Sequence, residues 1–249
     1  MIKNDSRQNP HKNVLPPETN NTTTTDPWKI FQIMAEFVEG YQRLSHVMPA
    51  VSIFGSARTE PSNPQYKLTV EIAKLLSENN INVITGGGPG IMDAGNLGAS
   101  QGEGLSIGLN IQLPFEIQNN PHQDIAVNFK FFFSRKAMFI KHSNACIFMP
   151  GGFGTLDELF EIATLIQTQK KKKMPLILVD TNYWSGMVDW IKSRLLAEGK
   201  ISKEDLDFFH LCDDAQSVLK IIKDHLDESG VKAKSPKVEV NAEGEGFQF

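Results

Sequence analysis

The 249-residue chain is 40% hydrophobic and carries a formal net charge of -4, with a sequence pI near 5.9. That balance leaves no electrostatic footprint for nucleic acid or an acidic membrane surface and favours small-molecule chemistry. The apolar content suffices for one large core, and no stretch approaches the roughly 18 consecutive apolar residues needed to span a bilayer.

Residues 1–26 are rich in Asn, Thr and Pro, contain Lys3, Arg7 and Lys12, and have no apolar run that could form a signal-peptide core. They are expected to form a disordered tail. From Pro27 to Val47, Asp26 as N-cap, Pro27 in the first position and Ile30, Ile33, Met34, Phe37, Val38 and Tyr41 at helical spacing predict a packed helix. Ala50 to Phe54 is a short strand entering the turn Gly55-Ser56-Ala57-Arg58, and Gln65 to Leu76 is the next helix. Ile81 to Thr85 then leads into Gly86-Gly87-Gly88-Pro89-Gly90 and a helix through Ile91, Met92, Ala94 and Leu97.

Leu105 to Leu109 is a third strand. After a loop at Pro114 to His122, a strand at Asp124 to Asn128 and a helix at Phe131 to His142 follow, the helix carrying Arg135 and Lys136. Ala145 to Met149 is too short for a helix and suits a strand buried on both faces. It breaks into Pro150-Gly151-Gly152-Phe153-Gly154, after which Leu156, Leu159, Phe160 and Ala163 restart a helical period. Lys170 to Lys173 are expected to be a solvated helix end. Pro175 to Val179 is a strand, Trp184 to Ala197 a helix, Phe209 to Cys212 an edge strand and Ala215 to Leu226 a last helix. Residues 227–249 form a second expected disordered tail.

Strands alternating with helices at this pitch predict an α/β fold of the doubly wound, Rossmann-like type. One domain over 27–226 would have a mostly parallel sheet with helices on both faces. Ligands in such sheets bind at the carboxyl ends of the strands. The two cysteines, Cys146 and Cys212, lie in apolar runs without a Cys or His at metal-ligand spacing. Both read as reduced core thiols of a cytoplasmic protein, and no metal is expected.

Three turns that follow strands therefore converge on one edge: Gly55-Ser56, Gly86 to Gly90, and Gly151 to Gly154. Glycine permits close approach of backbone to a phosphate, and the helix start behind it presents free amides and the positive end of its dipole. The same glycines also serve simply as turn formers, and for any single loop the two readings are balanced. Neither the P-loop pattern nor Gly-x-Gly-x-x-Gly in register is present, so the loops point to one phosphate with something small attached. Thr155 and Glu158 stand three apart, which fits a capping box as well as it fits a phosphate contact with a carboxylate beyond it. Arg135 could equally snorkel to the surface or face an anion.

Taken together these residues resemble the Lonely Guy (LOG) family of cytokinin-activating enzymes, many of whose members carry the label of possible lysine decarboxylases. Pro150 to Glu158 matches the family's Pro-Gly-Gly-x-Gly-Thr-x-x-Glu signature at every specified position, and Arg135-Lys136 matches its Arg-Lys pair. The loop Gly86 to Met92 and the turn Phe54-Gly55-Ser56 are also similar. The resemblance implies a phosphoribohydrolase acting on a purine nucleoside 5'-monophosphate, AMP or an N6-modified AMP, without metal or cofactor.

It places Arg135 and Glu158 as the catalytic pair. Gly55, Ser56, Gly87, Gly88, Gly90, Met92, Lys136, Gly151, Gly152, Gly154 and Thr155 fall in the substrate-binding positions. It further implies a homodimer with the site near the interface, for which the apolar helix Phe131 to Ile140 is the candidate surface. Plant-type members have Met-His before the Arg-Lys pair, whereas this chain has Phe132-Phe133-Ser134, a pattern associated with longer bacterial relatives, so the reaction carries over more firmly than the cytokinin substrate. A non-catalytic nucleotide sensor with the same loops is the alternative, as is, on weaker grounds, a pyridoxal-phosphate decarboxylase using Lys136 or Lys141.

Overall fold

A computed structural model describes residues 27–113 and 119–232. The first expected tail, residues 114–118 of the Pro114 to His122 loop and residues 233–249 lie outside the described residues, whereas 227–229, expected in the second tail, continue the last helix. The elements in chain order are α1 (Pro27–Arg43), β1 (Ala50–Phe54), α2 (Pro64–Glu78), β2 (Asn82–Thr85), α3 (Ile91–Ala99), β3 (Ser106–Ile111), β4 (Ile125–Phe129) and α4 (Phe132–His142). Then come β5 (Ala145–Phe148), α5 (Phe153–Gln167), β6 (Leu176–Val179), α6 (Thr181–Trp190), β7 (Phe209–Cys212) and α7 (Ala215–Ser229).

The seven strands form one sheet in the order β4-β3-β2-β1-β5-β6-β7, and every pair is parallel. The chain starts in the centre, winds outward through β2, β3 and β4, and returns to the other side of β1 with β5. Alternation within the strands divides the core. Phe54, Cys146 and Phe148 face one layer with Phe129, Phe139, Leu159 and Trp184. Val51, Ile53, Ala145 and Ile147 face the other, with Ile72, Leu76, Ile91, Val218 and Ile222. Both faces of β1 and β5 are buried, as a doubly covered parallel sheet requires.

Three sequence expectations change. First, α1 packs only in part: Phe37 of the expected stripe meets the core beside Glu36 and Gly40 and Ile33 is half-buried, whereas Ile30, Met34, Val38 and Tyr41 are exposed. Helical spacing marked the helix without marking which of two usable faces is buried. Second, the segment predicted as one helix from Trp184 starts earlier, at Thr181, and changes at Ile191 into a π-helical turn that ends at Leu196. Third, the Lys170 to Lys173 run is not wholly solvated, because Lys171 Nζ donates to the carbonyls of Ile140 (2.6 Å) and Ser143 (2.9 Å) at the end of α4. The lysine complements a helix dipole, but that of the neighbouring helix.

Candidate active site

The reversal of winding between β1 and β5 leaves a crevice at the carboxyl end of the sheet. There the turn after β1, the loop after β2 and the loop after β5 border a cleft of about 640 Å³. Gly55, Ser56, Gly88, Met92, Arg135, Gly152, Gly154, Thr155 and Glu158 all line it. Of the sequence candidates, Gly87, Gly90, Gly151 and Lys136 do not.

The glycines off the cleft wall hold its loops together. Gly90 has φ +69°, and its loop lies so close to the Ser56-Ala57 backbone that any side chain would strike it. Here Ile91 N–H donates to Ser56 O at 3.0 Å, joining the start of α3 to the first turn. Gly87, with φ +71°, gives its carbonyl to Asn120 N–H (2.9 Å) and Gln123 Nε2 (3.1 Å). Gly151 lies against Thr155 and the Gly55 backbone, and its carbonyl accepts from Tyr183 Oη at 2.7 Å.

Helix α5 starts earlier than its apolar period suggests. Its N-cap is Gly152, which offers no side-chain cap, so Thr155 is the third helical residue and Glu158 the sixth. The capping-box reading of Thr155 and Glu158 is thereby removed, since that motif needs the pair at the N-cap and third positions. The amides of Phe153 and Gly154 are left for solvent or a ligand at the cleft wall, with the helix dipole behind them.

Arg135 projects from α4 beneath the second glycine loop. Its Nε donates to Leu109 O (2.7 Å) and its Nη2 to Gly86 O (3.2 Å), while the guanidinium lies 5.4 Å from the centroid of the Phe139 ring. It does not snorkel. Burial pushes its pKa down to about 10, against which the charge of Glu158 acts, and it stays a cation.

Glu158 is the perturbed carboxylate of the cleft. Burial pushes its carboxyl up to about 7, opposed by Lys136 and Arg135 and reinforced by Glu161. Its Oε1 lies 3.4 Å from Lys136 Nζ, whereas its Oε2 is buried and has no hydrogen-bond partner among the described residues. A carboxylate oxygen held out of water with no hydrogen-bond partner, on a residue that lines a cleft, is kept there against its own solvation, as functional-site groups are.

Several residues escaped the sequence reading. Arg58, Ile111, Leu113, Asn119, Phe132 and Phe139 also line the cleft, and Ile111, Leu113, Phe132 and Phe139 make part of its wall apolar. Asp157 and Glu161 join Glu158 around Lys136, at 2.9 and 2.5 Å from its Nζ. A signal for these existed: Glu161 stands four residues after Asp157 and three after Glu158, the spacing that puts carboxylates on one side of a helix. Among the described residues no group of three or more His, Cys, Asp or Glu is placed to hold a metal ion, and no helix is long and apolar enough to cross a membrane.

A family model described as possible lysine decarboxylase matches residues 92–222. The cytokinin riboside 5'-monophosphate phosphoribohydrolase LOG1 of Arabidopsis thaliana is 28% identical over 160 residues, covering 63% of this chain and 74% of that protein. Among solved structures, that of TM1055 has a TM-score of 0.56 at 20% identity and covers 71% of this chain and 99% of its own. The molybdenum cofactor carrier protein of Chlamydomonas reinhardtii has a TM-score of 0.55 at 21% identity, covering 72% and 98% respectively. At these identities the structural likeness speaks for the fold. The family match takes in more than half of the sequence, including Arg135 and the whole glycine loop before Glu158, and so the chain belongs to the possible lysine decarboxylase, or Lonely Guy, family.

Proposed function

We propose that the protein hydrolyses the N-glycosidic bond of a purine nucleoside 5'-monophosphate, AMP or a cytokinin-type N6-modified AMP, to the free base and ribose 5-phosphate. The observation that carries this reading is Glu158: a buried carboxylate with one unpaired oxygen, in the same cleft as a buried arginine and an uncapped helix start. Phosphate binds at Gly152 to Thr155, where the first amides of α5 and the Thr155 hydroxyl converge. The ribose then lies over Glu158. As the bond to the base breaks, positive charge builds on the ribose, and the carboxylate stabilises it while orienting or activating the attacking water.

Arg135 faces the same cleft and supplies positive charge to the departing purine or to the phosphate. The apolar side formed by Ile111, Leu113, Phe132 and Phe139 takes the base and accommodates a hydrophobic N6 substituent. Because the phosphate orients the sugar from a distance, adenosine should react far more slowly than AMP. We further assign the protein to the cytoplasm, where nucleotide monophosphates are available, and to a homodimer. Support for the dimer comes from exposed apolar side chains on α1 together with Phe132 and Phe133 of α4 and Phe153 and Phe160 of α5.

The test is incubation of the full chain with AMP and with isopentenyl-AMP, following free base and ribose 5-phosphate by chromatography, beside Glu158→Gln. Release that falls by about 10²-fold or more in the variant is expected. Thermal stabilisation by AMP with no release from the wild type would replace the hydrolase by the nucleotide sensor.

A further inference from the structure

Lys136 follows Arg135 in sequence, and the family resemblance groups it with the substrate-binding positions. Its surroundings give it a different task. The Nζ lies 2.9 Å from Asp157 Oδ2, 3.4 Å from Glu158 Oε1 and 2.5 Å from Glu161 Oε2, and its side chain is only 15% exposed. An ammonium has three donors. Here α5 supplies three carboxylates, and the lysine does not line the cleft.

We propose that Lys136 is a positioning residue for Glu158: gripped by Asp157 and Glu161, its ammonium holds Oε1 and so fixes the carboxylate at the cleft wall. The assignment rests on the hydrolase reading for its chemical purpose, but not for its geometry. The charged groups facing Glu158 are Arg135 and Lys136 from α4 and Asp157 and Glu161 on its own helix, with the neutral, buried Cys146 thiol beneath on β5. Three acidic and two basic groups leave one negative charge over. Removing Lys136 leaves two, with a phosphate still to be bound beside them, and protonation of Glu158 then becomes easier.

The experiment compares Lys136→Met and Lys136→Arg with the wild type. Glu158 is read by carboxyl NMR titration, its resonance assigned as the one missing from Glu158→Gln, and kcat and KM for AMP are measured across pH. Lys136→Met should raise the Glu158 titration by about one unit or more, and move the acid limb of kcat/KM by a similar amount. KM for AMP at pH above both limbs should stay within about threefold, and Lys136→Arg should restore most of the limb. A Glu158 titration that does not move overturns the proposal. So does a rise in KM for AMP with an unshifted limb, the signature of a lost phosphate ligand.

If Lys136→Met fails to fold, Glu161→Gln reads the same coupling with the opposite sign. Glu158's titration should fall, both from the lost Glu161 charge and from Lys136 being drawn to Glu158, and no movement, or the same fall in a Lys136→Gln background, would overturn the idea. If the wild type releases no base at all, the hydrolase reading falls, while the NMR titration still decides whether Lys136 holds Glu158.

Discussion

Glu158 is a side chain that the fold holds at a cost. Its carboxyl, pushed up to about 7 mainly by burial, prefers to be protonated in the folded protein, whereas in the unfolded chain it ionises near 4.5. The contribution to stability is therefore most favourable below pH 4.5 and is lost as pH rises through about 7. Glu158→Gln should then stabilise the protein by about 1–3 kcal/mol at pH 8 and by almost nothing at pH 4, while abolishing hydrolysis. Denaturant melts at the two pH values check this. A variant that is less stable at pH 8 would mean that the carboxylate is structural. Residues kept against stability are characteristic of sites.

His142 runs the other way. Burial, with Lys141 and Lys171 nearby, pushes its pKa down to about 4, so its neutral form is favoured on folding and its share of stability is lost as pH falls from about 6.5 toward 4. Its Nε2 has no partner among the described residues. Replacing it with Leu should flatten the acid side of the stability profile, read by melts between pH 4 and pH 7.

Among the elements, α4 matters most, because it carries both Arg135 and Lys136. Its N-cap, Phe131, has no capping side chain, and the task passes to α1. The buried Glu36 carboxylate accepts from Lys130 N–H at 2.7 Å and from the Ser134 hydroxyl, placing negative charge at the positive end of α4. Close approach of the two helices is secured at Gly40, where a Cβ would lie 2.6 Å from Met138 Sδ. Glu36→Ala should cost about 1–3 kcal/mol, since it takes the acceptor from the part-buried Lys130 N–H and leaves the Ser134 hydroxyl only Phe131 O, and should lower activity through a loosened Arg135. Glu36→Gln should recover part of both losses, in melts and in AMP turnover.

The third glycine loop gives a sharper expectation. Gly151→Ala would push a methyl into Thr155 and toward the Gly55 backbone, 3.1 Å away, separating the loops on either side of the reversal point. Nucleotide binding should weaken by at least tenfold, measurable by calorimetry, with a smaller relative loss of stability. That α5 starts inside this loop was not legible in the sequence. Gly152, Phe153 and Gly154 are poor helix formers, and Thr155 and Glu158 imitate a cap so well that local spacing pointed to the wrong start. The strands, by contrast, were legible because β1 and β5 are buried on both faces, which forces short apolar runs bounded by glycine.

At the scale of the whole molecule, the alternation of strands and helices implied a parallel sheet, but not that β1 lies beside β5. That neighbour relation brings Gly55 and Gly152 into one cleft, a convergence that the doubly wound fold implied without giving the strand order. Least legible was the outer surface. Periodicity called α1 packed, yet Val38 is 64% exposed and Met34 56%, and Phe133 on α4 is 51% exposed. A sequence displays an apolar face in the same way whether its cover comes from its own chain or from a second copy.

Large apolar groups left bare on two adjoining helices, one of them carrying Arg135 and Lys136, are the pattern of a surface that is covered in an assembly. If that cover is a second copy, the wild type should sediment as a dimer at micromolar concentration, and Val38→Asp with Phe133→Asp should yield a monomer with unchanged far-ultraviolet dichroism. Because α4 lies in the seam, the monomer should also lose activity, with kcat/KM falling by at least about tenfold, since α4 then loses its outer support. A fully active wild-type monomer would remove the dimer and leave these side chains to another partner.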